Sequence, residues 1–317
     1  MIRRVAAPLG LVALLWAPGD GSAQSASGLA GQCAAASGDA TLCARAAGTG
    51  RDLAGYVGLL AAPGSELSGQ ASTLGRRLGG MPRMAASLRA GGASLVRPSL
   101  ASVGGPEESG LVSSAQATLA LGIFDGFQVL PTVGGLLSVD VLASGAFLFL
   151  SGDDGFDGRA EVFSLGARVG ILRESFTLPA VTVSASRRFV SALQFGDVGA
   201  GDLSQVRTDP AVTSLRATVG KDLFAFGVLA GLGWDDFSAE TTVRASDGGG
   251  GFTSHTATID GSRVTYFGGL AKQIGVIAWI SGEVGWARGF EPVTAGAGAS
   301  PDVDRTLYGS VALVLKL

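Results

Sequence analysis

A single histidine, His255, and two cysteines are all that 317 residues offer of the soft metal ligands, and methionine is nearly as scarce at three. A zinc or iron–sulfur centre needs several such side chains converging on one ion, so the composition argues against a metal site or metal cofactor. Charge is thin as well. Only 15% of residues are charged and the net is −3, against roughly 25% charged in an average soluble domain, which leaves no basic field for nucleic acid. Past the N-terminus no stretch approaches about 18 consecutive apolar residues, so membrane-spanning helices are excluded. No G-x-S-x-G surrounds any serine, removing one common hydrolase signature. Yet 47% of the chain is apolar and 51 residues are glycine, with no Gly-X-Y period, so neither collagen nor a disordered chain fits.

The N-terminus reads as an export signal. Arg3 and Arg4 precede an apolar run from Val5 to Trp16, and Gly21-Ser22-Ala23 supplies small side chains for cleavage before Gln24. Residues 1–23 are therefore expected to be removed. Without Arg3, Arg4 and Asp20, the 23 basic and 26 acidic side chains become 21 and 25, a mildly acidic exported chain. Cys33 and Cys43 are then an even count in an oxidising compartment, and a disulfide between them is the default. The C-x-x-C spacing of a redox pair is absent.

Residues 24–80 favour short helices and a linker. Asp39 is placed to cap ATLCARAA, Thr49 to cap RDLAGYVGLLAA, and Leu53, Tyr56, Val57 and Leu60 make one apolar stripe. That stripe must be covered by the preceding helix, by a barrel mouth or by another surface. The Gly- and Ser-rich stretch from Gly64 to Gly80 reads as a linker, and the segment as periplasmic or plug-like.

From about residue 81 to the C-terminus the hydrophobic period is two. Leu119, Leu121 and Ile123 alternate with Thr118 and Gly122; Phe163, Leu165 and Val169 with Ser164, Gly166 and Arg168; Phe226, Val228, Leu232 and Trp234 with Gly227, Gly231 and Gly233. Ten such runs are expected, at 82–95, 112–125, 133–149, 159–172, 178–190, 207–221, 223–243, 252–272, 275–288 and 304–317. Each suffices for a tilted strand to cross hydrocarbon. Connectors alternate between short (DGFQVLP, RESF, GKDL, QIG) and longer polar ones, as membrane barrels require.

In the signal, the dyad runs over 81–317, the alternating connectors and the terminal strand LYGSVALVLKL, the chain resembles the integral outer-membrane β-barrel proteins of Gram-negative bacteria. Members usually end in an aromatic residue, where this sequence has Leu317. The resemblance implies an all-β fold: an antiparallel up-and-down transmembrane barrel of about ten strands, in contact with outer-membrane lipid and with the barrel-insertion machinery during assembly.

Charge on the lipid face is costly. Arg89, Gln116, Asp140, Arg168, Arg188, Arg216, Asp235, Arg263, Glu283 and Lys316 are accordingly expected to line the lumen, either as an ion-paired wall or as a narrow path for a small solute. A hairpin centred near Gly249 would set Asp235 opposite Arg263. Trp234, Trp279 and Trp286 are expected at the membrane interface. DDGFDG at 153–158 lacks the ligands of a calcium loop. His255 sits near an outer loop, where a barrel protease or lipid hydrolase would place its chemistry, but Asp260 falls on the opposite strand face. No catalytic, cofactor-binding or metal-binding residue is assigned, and the chain is expected to be structural or a solute passage, with a barrel hydrolase as the rival.

Overall fold

In the computed structural model, the described residues are 25–75, 82–98, 100, 107–128, 135–150, 156, 159–224, 226–300 and 303–317. The proposed signal peptide and the DDGFDG loop, apart from Phe156, lie outside them. Two helices, α1 (Ala26–Ser37) and α2 (Ala40–Ala61), precede the strands. The strands are β1 (Met84–Pro98), β2 (Glu107–Phe124), β3 (Ser138–Phe149), β4 (Arg159–Leu172), β5 (Ala180–Val190), β6 (Leu193–Phe195) and β7 (Ser204–Leu223). They continue with β8 (Phe226–Ser246), β9 (Phe252–Gln273), β10 (Ala278–Phe290), β11 (Thr294–Ala295), β12 (Gly298–Ala299) and β13 (Val303–Lys316). Ten of them, β1–β5, β7–β10 and β13, pair antiparallel with their neighbours, and the β5–β7 and β1–β13 pairings close the sheet. Strand β6 continues alongside β7, while β11 and β12 form a separate hairpin.

The dyad pattern decides which face meets lipid. Leu88, Phe163, Leu270, Val284 and Val311 point outward and are 52–70% exposed. Unpaired apolar area on this scale is stable only in hydrocarbon. On β8 the apolar outward residues run from Phe226 to Trp234. At about 3.3 Å per residue and a tilt of about 40°, nine residues rise about 22 Å, close to the ~25 Å apolar band of membrane barrels. Trp234 and Trp286 face outward at the upper end of that band, and the Trp286 ring stacks on Tyr266 with centroids 5.4 Å apart. Trp279, also expected at the membrane interface, lies at a rim but is turned toward the lumen. It shares the register of the inward-facing Ser281 and Glu283, and Lys316 Nζ sits 4.1 Å from its ring centroid at the short-turn rim.

Above Trp234 the pattern inverts while the parity is kept. Asp236, Ser238, Glu240 and Arg244 now face out, whereas Phe237, Ala239, Val243 and Ala245 face in and are buried. Strands β7, β8 and β9, of 20, 21 and 22 residues, therefore rise past the hydrocarbon as a water-facing wall with an apolar interior at the long-loop end. The interior at that level is apolar and packed rather than open, because α1 and α2 fill it.

The helical segment also differs from the sequence reading. Instead of breaking at Gly48, α2 is one continuous 22-residue helix; Asp39 caps it by accepting from Leu42 N at 2.9 Å, and Thr49 is interior, donating its hydroxyl to Arg45 O. Gly38, in the left-handed region at φ 78°, closes α1 and allows the chain to reverse. The Cys33–Cys43 disulfide ties α1 to α2. The β7–β8 turn falls at Phe224 rather than at GKDL, with Lys221–Leu223 still paired in the ladder. Among the described residues no helix is long and apolar enough to cross a membrane.

Candidate functional site

The lumen is the site, and the chain itself occupies it. Helix α2 enters beside the β11–β12 hairpin, where Gly48 lies against Ser300 and Val293, and passes Gly55 against Phe290 and Gly58 against Asp235. Every residue from Asp52 to Ala61 is buried, so the stripe Leu53, Tyr56, Val57 and Leu60 is covered on all sides by wall. Ten strands about 4.8 Å apart, tilted by about 40°, close into a backbone cylinder about 20 Å across. Side chains narrow it to about the 10–12 Å of one helix. The alanines and glycines along α2 are what let it fit.

Beyond Ala61 the chain continues without regular structure through the lower lumen. Ser65, Glu66, Leu67, Ser68 and Thr73 are all buried. This is the stretch that composition alone marks as a linker; enclosure, not flexibility, is its role, and wall glycines make room for it. A Cβ at Gly122 would collide with the Gly75 backbone, one at Gly170 would press on Thr73, and one at Gly220 on Ala71.

The wall charges meet this segment directly. Glu66 Oε1 accepts from Arg188 Nη2 at 2.6 Å and from Ser186 Oγ at 2.8 Å. Glu283 accepts from Ser65 N at 2.9 Å, Ser65 Oγ at 2.5 Å and Gly69 N at 2.8 Å. Arg89 donates to Pro63 O at 3.2 Å, to Ser65 O at 2.6 Å and to Ser68 Oγ. Asp140 receives Leu74 N at 3.0 Å and Arg168 Nη2 at 2.7 Å, and Arg168 Nη1 donates to Gln70 O at 3.2 Å.

Nine of the ten residues expected in the lumen are buried on its wall: Arg89, Gln116, Asp140, Arg168, Arg188, Arg216, Asp235, Arg263 and Glu283. Lys316 stands half-buried at the short-turn mouth, in a 370 Å³ cleft with Gln70, Arg83, Glu174 and Asp222. The register setting Asp235 opposite Arg263 holds, but their side chains part. Asp235 pairs with Arg216 at 2.7 Å and lies 3.8 Å from Arg188. Arg263 instead stands over the rings of Tyr56, at 5.5 Å, and Phe290, at 5.1 Å. Helix α2 supplies Tyr56, so the arginine that sequence alone pairs with an aspartate is taken by the plug.

Sequence reasoning leaves open whether the stripe carrying Tyr56 plugs the barrel, and it misses Glu66, Phe290 and the residues 63–75 as lumen groups. None of those missed has a periodic signal. Glu66 does stand out in hindsight as the single charge between Asp52 and Arg76. His255 faces inward near the long-loop end with Nε2 buried and unbonded, while Asp260 faces out, so the two do not meet. Among the described residues no cluster of three or more metal-ligating side chains forms.

No protein-family model matches the sequence, and no curated protein does. Among solved structures, the chain is similar to the translocator domain of the autotransporter NalP from Neisseria meningitidis, with TM-score 0.40 and 14% identity over 86% of this chain and 96% of that one. It is also similar to the outer membrane protease OmpT from Escherichia coli, with TM-score 0.39 and 12% identity over 74% and 96%. A third is the transport unit of the autotransporter AIDA-I from Escherichia coli, with TM-score 0.39 and 9% identity over 85% and 99%.

Proposed function

We propose that this chain is an outer-membrane barrel held shut by its own N-terminal segment, with a structural role: it anchors the α1–α2 hairpin at the long-loop mouth. The observation that carries this reading is the continuous occupation of the lumen from Gly48, beside Ser300, to Gly75, against Gly122. The tall β7–β9 wall with its water-facing exterior supports placing the long-loop end outside the cell, since periplasmic turns in such barrels are short. Steady solute passage finds no support while residues 63–75 fill the bore. A hydrolase at His255 finds little, because its ring and Asp260 lie on opposite faces of β9.

Two measurements test the reading. An epitope placed between Ala23 and Ser25 is expected to be labelled on intact cells; labelling only after permeabilisation would reverse the orientation. In planar bilayers the wild-type barrel is expected to carry no steady current, and a large constitutive conductance would refute the plug. If His255→Ala abolished a lipid- or peptide-cleaving activity of the pure protein, the hydrolase reading would replace this one.

A further inference from the structure

The lipid face of the barrel is not uniformly bulky. The pairing sets β10, β13, β1, β2 and β3 side by side, and across them lies a hollow of about 580 Å³, from Ile280 on β10 to Phe147 on β3. Its floor is Ala90, Ala115, Ala117 and Gly145, while Leu88 and Val311 stand up beside it, 64% and 58% exposed. Four strand spacings of about 4.8 Å make it about 19 Å long, room for a chain from one leaflet of a hydrocarbon core about 30 Å thick. Packing within the wall does not require so low a floor. A Cβ at Gly145 would meet nothing nearer than Val162 O, at 4.0 Å, although glycine inside a strand weakens it.

The hollow ends beneath a cation. Arg159 opens β4 at the long-loop end, and its guanidinium lies over the Phe147 ring at 4.6 Å. On β4 the outward apolar residues run from Phe163 to Ile171, the same span as Phe226 to Trp234 on β8, so Glu161 and Arg159 stand just past the hydrocarbon, at headgroup depth. Arg159 Nη2 reaches Glu161 Oε1 at 3.2 Å with both side chains more than half exposed. Such an exposed pair is weak, and the rest of the guanidinium fork has no acceptor among the described residues.

We propose that this hollow is a site for one phosphate-bearing membrane lipid, with an acyl chain on the floor of Ala90, Ala115, Ala117 and Gly145 and the phosphate bound by Arg159. The floor lies within the apolar band, so hydrocarbon must cover it, and a chain that follows the hollow brings its headgroup to the guanidinium. Arginine's planar fork matches phosphate oxygens, whereas Glu161 beside it opposes them. The site needs the barrel to lie in a bilayer and does not depend on the plug.

The test uses the full-length protein in detergent, stripped of lipid, with bound lipid counted by native mass spectrometry. Phosphatidic acid and diacylglycerol with identical chains are the probes, so that the phosphate alone differs between them. The unmodified protein is expected to hold one phosphatidic acid about tenfold more tightly than diacylglycerol, the effect of a charge-assisted hydrogen bond. Gly145→Leu with Ala117→Leu raises the floor and is expected to weaken both lipids about tenfold, as losing contact with a few methylenes would; the heat-modifiable shift on a detergent gel confirms that the barrel has formed. Arg159→Gln and Glu161→Gln change exposed side chains and spare the fold. The first is expected to remove the preference for phosphatidic acid with diacylglycerol binding unchanged, and the second to sharpen it. Equal retention by the filled variant and the unmodified protein overturns the site, because chains would then adhere to the wall at large. A preference that survives Arg159→Gln, or that falls in Glu161→Gln, overturns phosphate recognition. These outcomes read the same whether or not the bore conducts, so refutation of the plug would leave them standing.

Discussion

Replacing Glu66 by glutamine probes the plug at a buried acid–base contact with the wall. Glu66 holds Arg188 at 2.6 Å and Ser186 at 2.8 Å, and both charged partners are nearly inaccessible to water. Breaking a buried pair by removing one partner costs about 3–5 kcal/mol, because the surviving charge is left without compensation. Here the surviving charge keeps some company, since Arg188 still donates to Ser214 and lies 3.8 Å from Asp235. Asp235, however, is already engaged by Arg216 at 2.7 Å. The glutamine also keeps a carbonyl acceptor, so the lower end, about 3 kcal/mol, is the expected loss. If that loss falls on the plugged state alone, the ratio of plugged to displaced molecules drops by roughly 150-fold, at 1.36 kcal/mol per decade. Single-channel recording reads this as conducting time, and a cycle with Arg188→Gln isolates the pair, with an expected coupling of about 2–3 kcal/mol. A Glu66→Gln protein within about threefold of wild type, or a coupling below about 0.5 kcal/mol, would refute the reasoning.

Gly122→Leu places a side chain where the Gly75 carbonyl lies, so it should displace the lower plug and raise conductance while the heat-modifiable shift of the barrel on a detergent gel persists. Val311→Arg, paired with Gly282 four residues below Trp286 and so near mid-band, should cost about 2–4 kcal/mol and lower the yield of inserted protein, whereas Trp286→Arg, at the band edge, should cost about 1 kcal/mol or less; equal yields would contradict the depth assigned to them. Replacing Cys33 and Cys43 by serine should loosen the α1–α2 hairpin by roughly 3 kcal/mol, seen as faster proteolysis of α1, with the barrel's unfolding temperature unchanged. A fall in that temperature would mean that the hairpin supports the wall.

The strands were legible because lipid imposes a one-residue alternation that nothing else in this composition mimics. Leu119, Leu121 and Ile123, or Phe226 through Trp234, point outward because every second position must, and from this follow the strand count, the register of Asp235 with Arg263 and the inward set of arginines. Trp279 lies at a rim, as its aromatic character suggests, but strand parity turns its ring inward. The helical half of the plug is legible as the stripe Leu53, Tyr56, Val57 and Leu60 in need of cover, a barrel mouth among its candidates, whereas the lower half, residues 63–75, is not. A segment enclosed on every side by polar wall needs no periodicity, and small residues that pass through a narrow bore have the composition of a linker. Thr49 misled for a related reason: a threonine inside a helix can return its hydroxyl to the preceding turn, as it does to Arg45 O, so it reads as a cap only when the helix is exposed to ending there.

The cross-linked hairpin sets an order of events. Two helices packed about 8–10 Å apart measure about 20 Å across, twice the clear width of the bore, so once Cys33 and Cys43 are joined, α1 and α2 together are too broad to be threaded through a finished cylinder. With the pair at one mouth and Gly75 at the other, a hairpin that is already cross-linked leaves one route: the wall seals around the chain. For the oxidised chain, assembly is wrapping rather than insertion of a cork.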